Sequence, residues 1–261
     1  MLAMLMLRPI LWGTLALFLL PLAIHAVYWL AVDEGVPWSR ADWSSARLLP
    51  AAAAHPEAMV HVYAARTGRW KGIFAHHCWI VVKEKGAPAY TRYDKVAWGR
   101  PVHVNSWAPD AHWYGHAPVL VAAIEGPEAE RMIPRIKAAV AAYPWDKPGG
   151  YRVWPGPNSN TFVANVLAAV PEAAVALPPT ALGKDFRPIT NALGYTPSRT
   201  GLQLTLAGLL GITVGWVEGI EVNILGLVAG IDVRAPALKL PGFGRIGLAP
   251  SLASAAAQPA R

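Results

Sequence analysis

Two short segments hold residue types that could act together on a substrate. The first is Phe74-Ala75-His76-His77-Cys78-Trp79-Ile80-Val81-Val82, where histidine opens an apolar run. An imidazole fixed there can turn one ring nitrogen towards a cleft and change charge near neutral pH. The second is Trp154-Pro155-Gly156-Pro157-Asn158-Ser159-Asn160-Thr161-Phe162. A Pro/Gly loop here delivers small polar residues to a helix start. Backbone N–H groups at such a start favour negative charge, so the place suits a nucleophile whose product is an oxyanion. Each segment also has a plain structural reading: a histidine at a strand edge, and Asn158 or Ser159 as a helix N-cap.

Those positions need elements to hold them. Met59 to Ala65 and Cys78 to Lys83 alternate or run apolar in the manner of strands. Ala89 to Tyr93, Val102 to Trp107 and Val119 to Ile124 are three more candidates. Ile133, Ile136, Val140 and Tyr143 recur at helical spacing and predict a helix over Glu128 to Tyr143. A second helix is predicted from Ser159 to Val170, stopped by Pro171. Pro178 to Pro197 reads as irregular. Further on, Val217 to Ile224 (V-E-G-I-E-V-N-I) alternates almost strictly, and ten of the 23 glycines fall between Gly201 and Gly247. That composition predicts a β-meander with glycine turns, lying against the membrane. The spacing Gly211, Gly215, Gly219 also fits a helix-packing motif, but Glu218 and Glu221 argue against a second span.

The chain has 261 residues, with 54% hydrophobic, 15% charged and a net charge of +7. So little charge excludes a disordered chain. Scattered basic residues, with no run of five or six, argue against a nucleic-acid partner. One cysteine excludes a disulfide framework and any zinc site built on several thiolates. No phosphate-binding glycine motif is present, and no cofactor is expected. Ile10 to Val32 holds no Asp, Glu, Lys or Arg over 23 positions, enough for a helix to cross about 30 Å of hydrocarbon. Arg8 before it and Asp33 and Glu34 after it place the N-terminus inside and the body outside. A cleaved signal peptide ending at Ala26 is the competing reading, and Ile24 makes a poor cleavage site for it.

The two segments together resemble the circularly permuted papain-like hydrolases, in which a histidine begins a strand and a cysteine begins a later helix. The pattern of the PPPDE group of deubiquitinase-like peptidases, His-x-x-Ile-Val-Val then Asn-Cys-Asn-x-Phe, is similar to His77–Val82 and Asn158–Phe162. The NlpC-type cell-wall peptidases and the lecithin retinol acyltransferase group share the layout. The phrases PGPNSNTF (155–162) and GKDF (183–186) resemble the bacterial membrane family called domain of unknown function 3750. Ser159 stands where the papain-like enzymes have cysteine. A serine needs an adjacent base during attack, and the resemblance gives that role to His77.

A third residue should orient the imidazole. His103 and Asn105, on one face of a short strand, are the candidates. Asn158, Asn160, Trp79 and Trp154 flank the two positions as candidate substrate contacts. Cys78 should face away from His77 and be structural. Asp110, His112 and His116 form a D-x-H-x3-H cluster beside Trp107 and Trp113. Zinc or iron could use such ligands, but the segment reads as a loop, a cleft wall or a membrane-facing surface, and no metal is assigned.

The expected architecture is α+β: an N-terminal membrane anchor (1–32), a linker (33–58), a papain-like domain (59–200), a β-rich extension (201–248) and a disordered tail (249–261). The expected function is hydrolysis or acyl transfer at an amide or ester of a peptide, peptidoglycan or lipid on the periplasmic side of the inner membrane. The alternative is an inactive papain-like cleft that binds such a molecule. Neither the substrate nor the oligomeric state follows from the sequence.

Overall fold

The alternating apolar stretches become the centre of a sheet. In a computed structural model, which describes residues 8–9, 11–33, 35–99 and 102–247, β1 (Met59–Arg66) and β2 (His76–Lys83) pair antiparallel, with Ala65 opposite His77. β5 (Val119–Glu125) joins the far side of β1. β3 (Thr91–Lys95) and β4 (Val102–Val104) extend the sheet beyond β2, giving the order β4-β3-β2-β1-β5. A strand covered on both faces reads as a nearly unbroken apolar run, and β1 and β2 are buried almost throughout. Cys78, Ile80 and Val82 enter one core with Met132, Ile136 and Phe162. Trp79 and Val81 enter another with Tyr63 and Trp113. Cys78 thus lies on the face opposite Trp79, as the alternation requires.

Two helices cover the first face. One, Gly126–Ala141, begins at Gly126 (φ 67°) and Pro127. Its Ala129, Met132, Ile133, Ile136 and Val140 are buried on one stripe, and the helix packs on β1. The other, Ser159–Leu167, packs on β2. It ends three residues earlier than the sequence suggests, and turns carry the chain on to Pro171.

The N-terminal apolar helix runs over Leu11–Val32 and is long and apolar enough to cross a membrane; Ile10 lies outside the described residues. It stays beside the body of the protein along its length. Its π-helical stretch Leu15–Leu19 runs against a strand of the C-terminal sheet, Leu227–Asp232. His25 meets Phe243, with ring centroids 5.1 Å apart. The Trp29 indole donates to the Arg69 carbonyl at 3.0 Å. We therefore number this helix α1, with Gly126–Ala141 as α2 and Ser159–Leu167 as α3.

The segment 33–58 reads from sequence as a linker; its residues 43–49 are fastened to the second face of the sheet. The Asp110 carboxylate accepts from Ser45 Oγ at 2.7 Å and from the N–H groups of Leu48 and Leu49 at 2.6 and 3.2 Å. Trp43 packs edge-on against Trp113 with centroids 5.0 Å apart.

The C-terminal region is a seven-stranded antiparallel meander in chain order. It comprises β6 (Leu193–Tyr195), β7 (Gly201–Leu206), β8 (Leu210–Gly215), β9 (Gly219–Ile224), β10 (Leu227–Asp232), β11 (Ala237–Leu240) and β12 (Gly244–Gly247). The strands expected between residues 201 and 240 are present, and the glycine spacing belongs to strands and turns. The meander opens earlier than expected, because Leu193–Tyr195 pairs with Leu202–Leu204 in a stretch that reads as irregular. The expected tail at 249–261 lies outside the described residues. The buried face of this sheet is polar. Lys184 reaches Asp185 at 3.0 Å and Glu221 at 2.5 Å, and Lys239 reaches the other Glu221 oxygen at 2.6 Å. The Gln203 and Asn223 amides donate to Asp185 at 2.8 and 3.0 Å. Pairing of this kind is the condition for keeping charge out of water.

Candidate functional site

Ser159 is the first residue of α3. Asn158 caps the helix: its Oδ1 accepts from the N–H groups of Asn160 and Thr161 at 2.9 and 3.2 Å, and its own N–H donates to Thr161 Oγ1 at 3.1 Å. Reciprocal capping of this type satisfies donors the helix cannot use. Asn160 points the other way, to β2. Its Oδ1 accepts from Cys78 N at 3.0 Å, and its Nδ2 donates to His76 O and Leu182 O at 2.9 and 2.8 Å. The amide therefore holds the strand on both sides of His77. That contact brings Ser159, the residue before Asn160, to the strand position of an imidazole 82 residues away. His77 and Ser159 line one cleft of about 450 Å³, without a direct hydrogen bond between them.

The state of His77 follows from its neighbours. Its Nε2 lies 2.9 Å from Asp94 Oδ1. Arg92 donates to the same carboxylate through Nε at 2.6 Å and Nη2 at 2.9 Å. Burial alone would raise the Asp94 pKa, but the guanidinium and the imidazole more than offset it and hold the carboxyl at about 2. An ionised carboxylate only accepts, so His77 Nε2 carries the proton and Nδ1 keeps its lone pair. No described residue bonds to Nδ1. Burial pulls the His77 pKa below its ordinary 6.5, against the bond to Asp94. The ring is therefore neutral at pH 7 and can act as a base. Trp113 stacks on it with centroids 3.8 Å apart and planes 6° from parallel, which fixes the ring plane.

Tyr151 lines the same cleft beside Ser159. Burial pushes its phenol up to about 12, opposed in part by the neighbouring Ser159 side chain and backbone. The expectation that several helix N–H groups hold an oxyanion narrows accordingly. The Asn160 and Thr161 groups are spent on the cap, leaving the Ser159 N–H with the Tyr151 hydroxyl beside it.

The remaining sequence candidates are dispersed. His103 has both nitrogens occupied, by Ser106 Oγ and Trp98 O at 2.9 Å each. Asn105, at φ 54°, accepts from Arg92 N at 2.8 Å and closes the edge of the sheet. Neither touches His77; the orienting position belongs to Asp94, which pairs with His103 across β3 and β4. Trp79 is fully buried, donates to Pro109 O at 2.8 Å and lies under Arg92, so it is core and not a substrate contact. Asn158 and Asn160 line the cleft, but their polar atoms are spent on backbone. Trp154 is half exposed in the cleft wall, its indole bonded to Leu225 O at 2.8 Å. Burial pushes the Cys78 thiol far above its ordinary range, which rules it out as a nucleophile.

Asp110, His112 and His116 turn to separate partners: Asp110 to Ser45 Oγ and the Leu48 and Leu49 N–H groups, His112 to Ser44 O at 3.0 Å, and His116 to Asp33 and Trp29. Among the described residues no group of three His, Cys, Asp or Glu is placed to hold a metal ion.

Asn160→Ala would leave Cys78 N and two carbonyls without partners in a buried seam. A stability loss of about 2–3 kcal/mol in urea unfolding is the expected result. A loss under about 0.5 kcal/mol would mean that this amide does not dock the helix on the strand.

Residues 57–186 match a family model described as a protein of unknown function (DUF3750). No curated protein matches the chain, and no solved structure does.

Proposed function

The chain belongs to the DUF3750 family, and from its site we propose a membrane-tethered hydrolase or acyltransferase of papain-like layout that works through Ser159. The observation that carries this is His77, held through Nε2 by Asp94 and lining the same cleft as Ser159. Ser159 Oγ attacks an amide or ester carbonyl while His77 Nδ1 takes its proton. The Ser159 N–H and the Tyr151 hydroxyl face the oxyanion. The imidazolium, stabilised by Asp94, gives its proton to the leaving amine or alcohol. Water or an acceptor alcohol then attacks the acyl-serine, passes its proton to His77, and Ser159 leaves with that proton.

The cleft wall supports an acyl-bearing, lipid-like substrate. Trp70, Phe74, Trp98, Trp113 and Trp154 line it, and Leu22 is contributed by α1 itself. Arg8 before the apolar helix and Asp33 after it favour a body on the periplasmic side of the inner membrane.

A fluorophosphonate serine probe on the full-length protein tests the reading. Wild type should label, Ser159→Ala should not, and His77→Ala should label slower by roughly 10²–10⁴-fold. Unlabelled wild type together with a thiol-reactive Ser159→Cys variant would replace the enzyme by a lipid-binding cleft.

A further inference from the structure

The C-terminal sheet is inside out. In β7, β8, β9 and β11 the buried side chains include Gln203, Thr205, Thr213, Glu221, Asn223 and Lys239. The outward ones are Leu202, Leu204, Ile212, Val214, Val222 and Leu238, each 37–54% exposed. They form one patch, because the register sets Leu202 opposite Val214, Leu204 opposite Ile212, and Ile212 opposite Val222. No outward position of β7, β8 or β9 is charged. An apolar surface of this extent on a folded chain marks an interaction face.

The neighbour of that face indicates what covers it. Leu15–Leu19 of α1 runs against β10. On β10, Ala229 pairs with the outward Val222, yet it is buried. The one element among the described residues with the composition of a membrane segment therefore adjoins the apolar side of the sheet. α1 also exposes apolar side chains on its remaining sides, among them Leu17, Leu20, Ile24 and Leu30. A protein partner would have to cover both surfaces, whereas lipid covers both at once.

We propose that the outer face of the seven-stranded sheet is a second membrane-contacting surface, continuous with α1, that rests on lipid acyl chains. Among the described residues the sheet ends at β6 and β12, and hydrocarbon cannot satisfy unpaired backbone groups. The face alone meets the acyl chains, with the edges held in the headgroup layer. This stands apart from any catalysis by Ser159. It also sets lipid at the mouth of the cleft, since Leu225, exposed at the β9–β10 turn, lines that cleft as well.

The experiment uses full-length protein in phosphatidylethanolamine/phosphatidylglycerol vesicles, spin-labelled at Leu204→Cys, Ile212→Cys or Val214→Cys. The native Cys78 is buried and takes no label. Glu130→Cys, exposed on α2, is the aqueous control. Collision rates are measured with oxygen, which partitions into lipid, and with a water-soluble nickel chelate. Labels on the sheet should favour oxygen over nickel, and the control should show the reverse. Nickel access equal to the control would place the face in water and overturn the proposal. So would shielding from both reagents, which would mean a protein cover such as a second copy.

Discussion

Asp94→Ala is expected to remove about 3–5 kcal/mol of folding stability, because it strands the fully buried Arg92 guanidinium without its counter-charge. Serine-probe labelling should fall with it, since His77 loses the acceptor that fixes its tautomer. Asp94→Asn separates the two effects: it keeps the volume, and labelling should still drop, because an amide cannot stabilise the imidazolium. The acid side of the stability profile carries the same signature. Asp94 sits near 2 in the fold against an ordinary 3.8. Its contribution, about 2 kcal/mol, is complete above pH 3.8 and lost as pH falls through 2. His77 acts earlier: its folded pKa lies below 6.5, so the unfolded chain binds the extra proton and stability declines below pH 6.5. Urea unfolding between pH 7 and pH 1.5 measures both. A flat profile over that range would contradict the burial of this pair.

Glu221→Ala should cost a similar amount, about 3–5 kcal/mol, because two buried ammonium groups, Lys184 and Lys239, lose their shared carboxylate. The compensated variant, Glu221→Leu with Lys239→Met, replaces an ion pair by apolar volume and should recover much of the loss. Guanidinium unfolding of the three proteins decides it. A single variant within about 0.5 kcal/mol of wild type would mean that water reaches this layer.

The residues at element starts were legible in the sequence. His77 precedes an apolar run and Ser159 follows a Pro/Gly loop, and both signals are local. Asp94 was not legible. The pattern ends β3 at Tyr93, whereas the strand continues to Lys95. Arg92 and Asp94 share a face at a spacing of two, and a charge pair in a strand reads as solvent-exposed unless the covering layer is known. Here that layer comes from Trp107 and Trp113, in a distant loop. Tyr151 lies in a loop without periodicity, so nothing in its neighbours points to Ser159. The meander is the reverse case. Its alternation was plain, but alternation names two faces without saying which is inward. The usual assignment, apolar side in, is inverted by the charges that Lys184 and Asp185 bring from outside the sheet.

Those two residues also define what can be cut. The family match ends at Phe186, directly after Gly183, Lys184 and Asp185. Gly183 accepts from Thr161 Oγ1 on α3 at 2.7 Å, while Lys184 and Asp185 are bonded to Glu221, Gln203 and Asn223. One tetrapeptide thus clasps α3 with its first residue and the meander with the next two. A fragment stopped at residue 186 or 200 would keep the Lys184–Asp185 pair but take Glu221 from Lys184 and the Gln203 and Asn223 amides from Asp185. The smallest piece of this chain that can be expressed with its cleft intact therefore extends through Lys239, well past the segment by which its kinship is recognised.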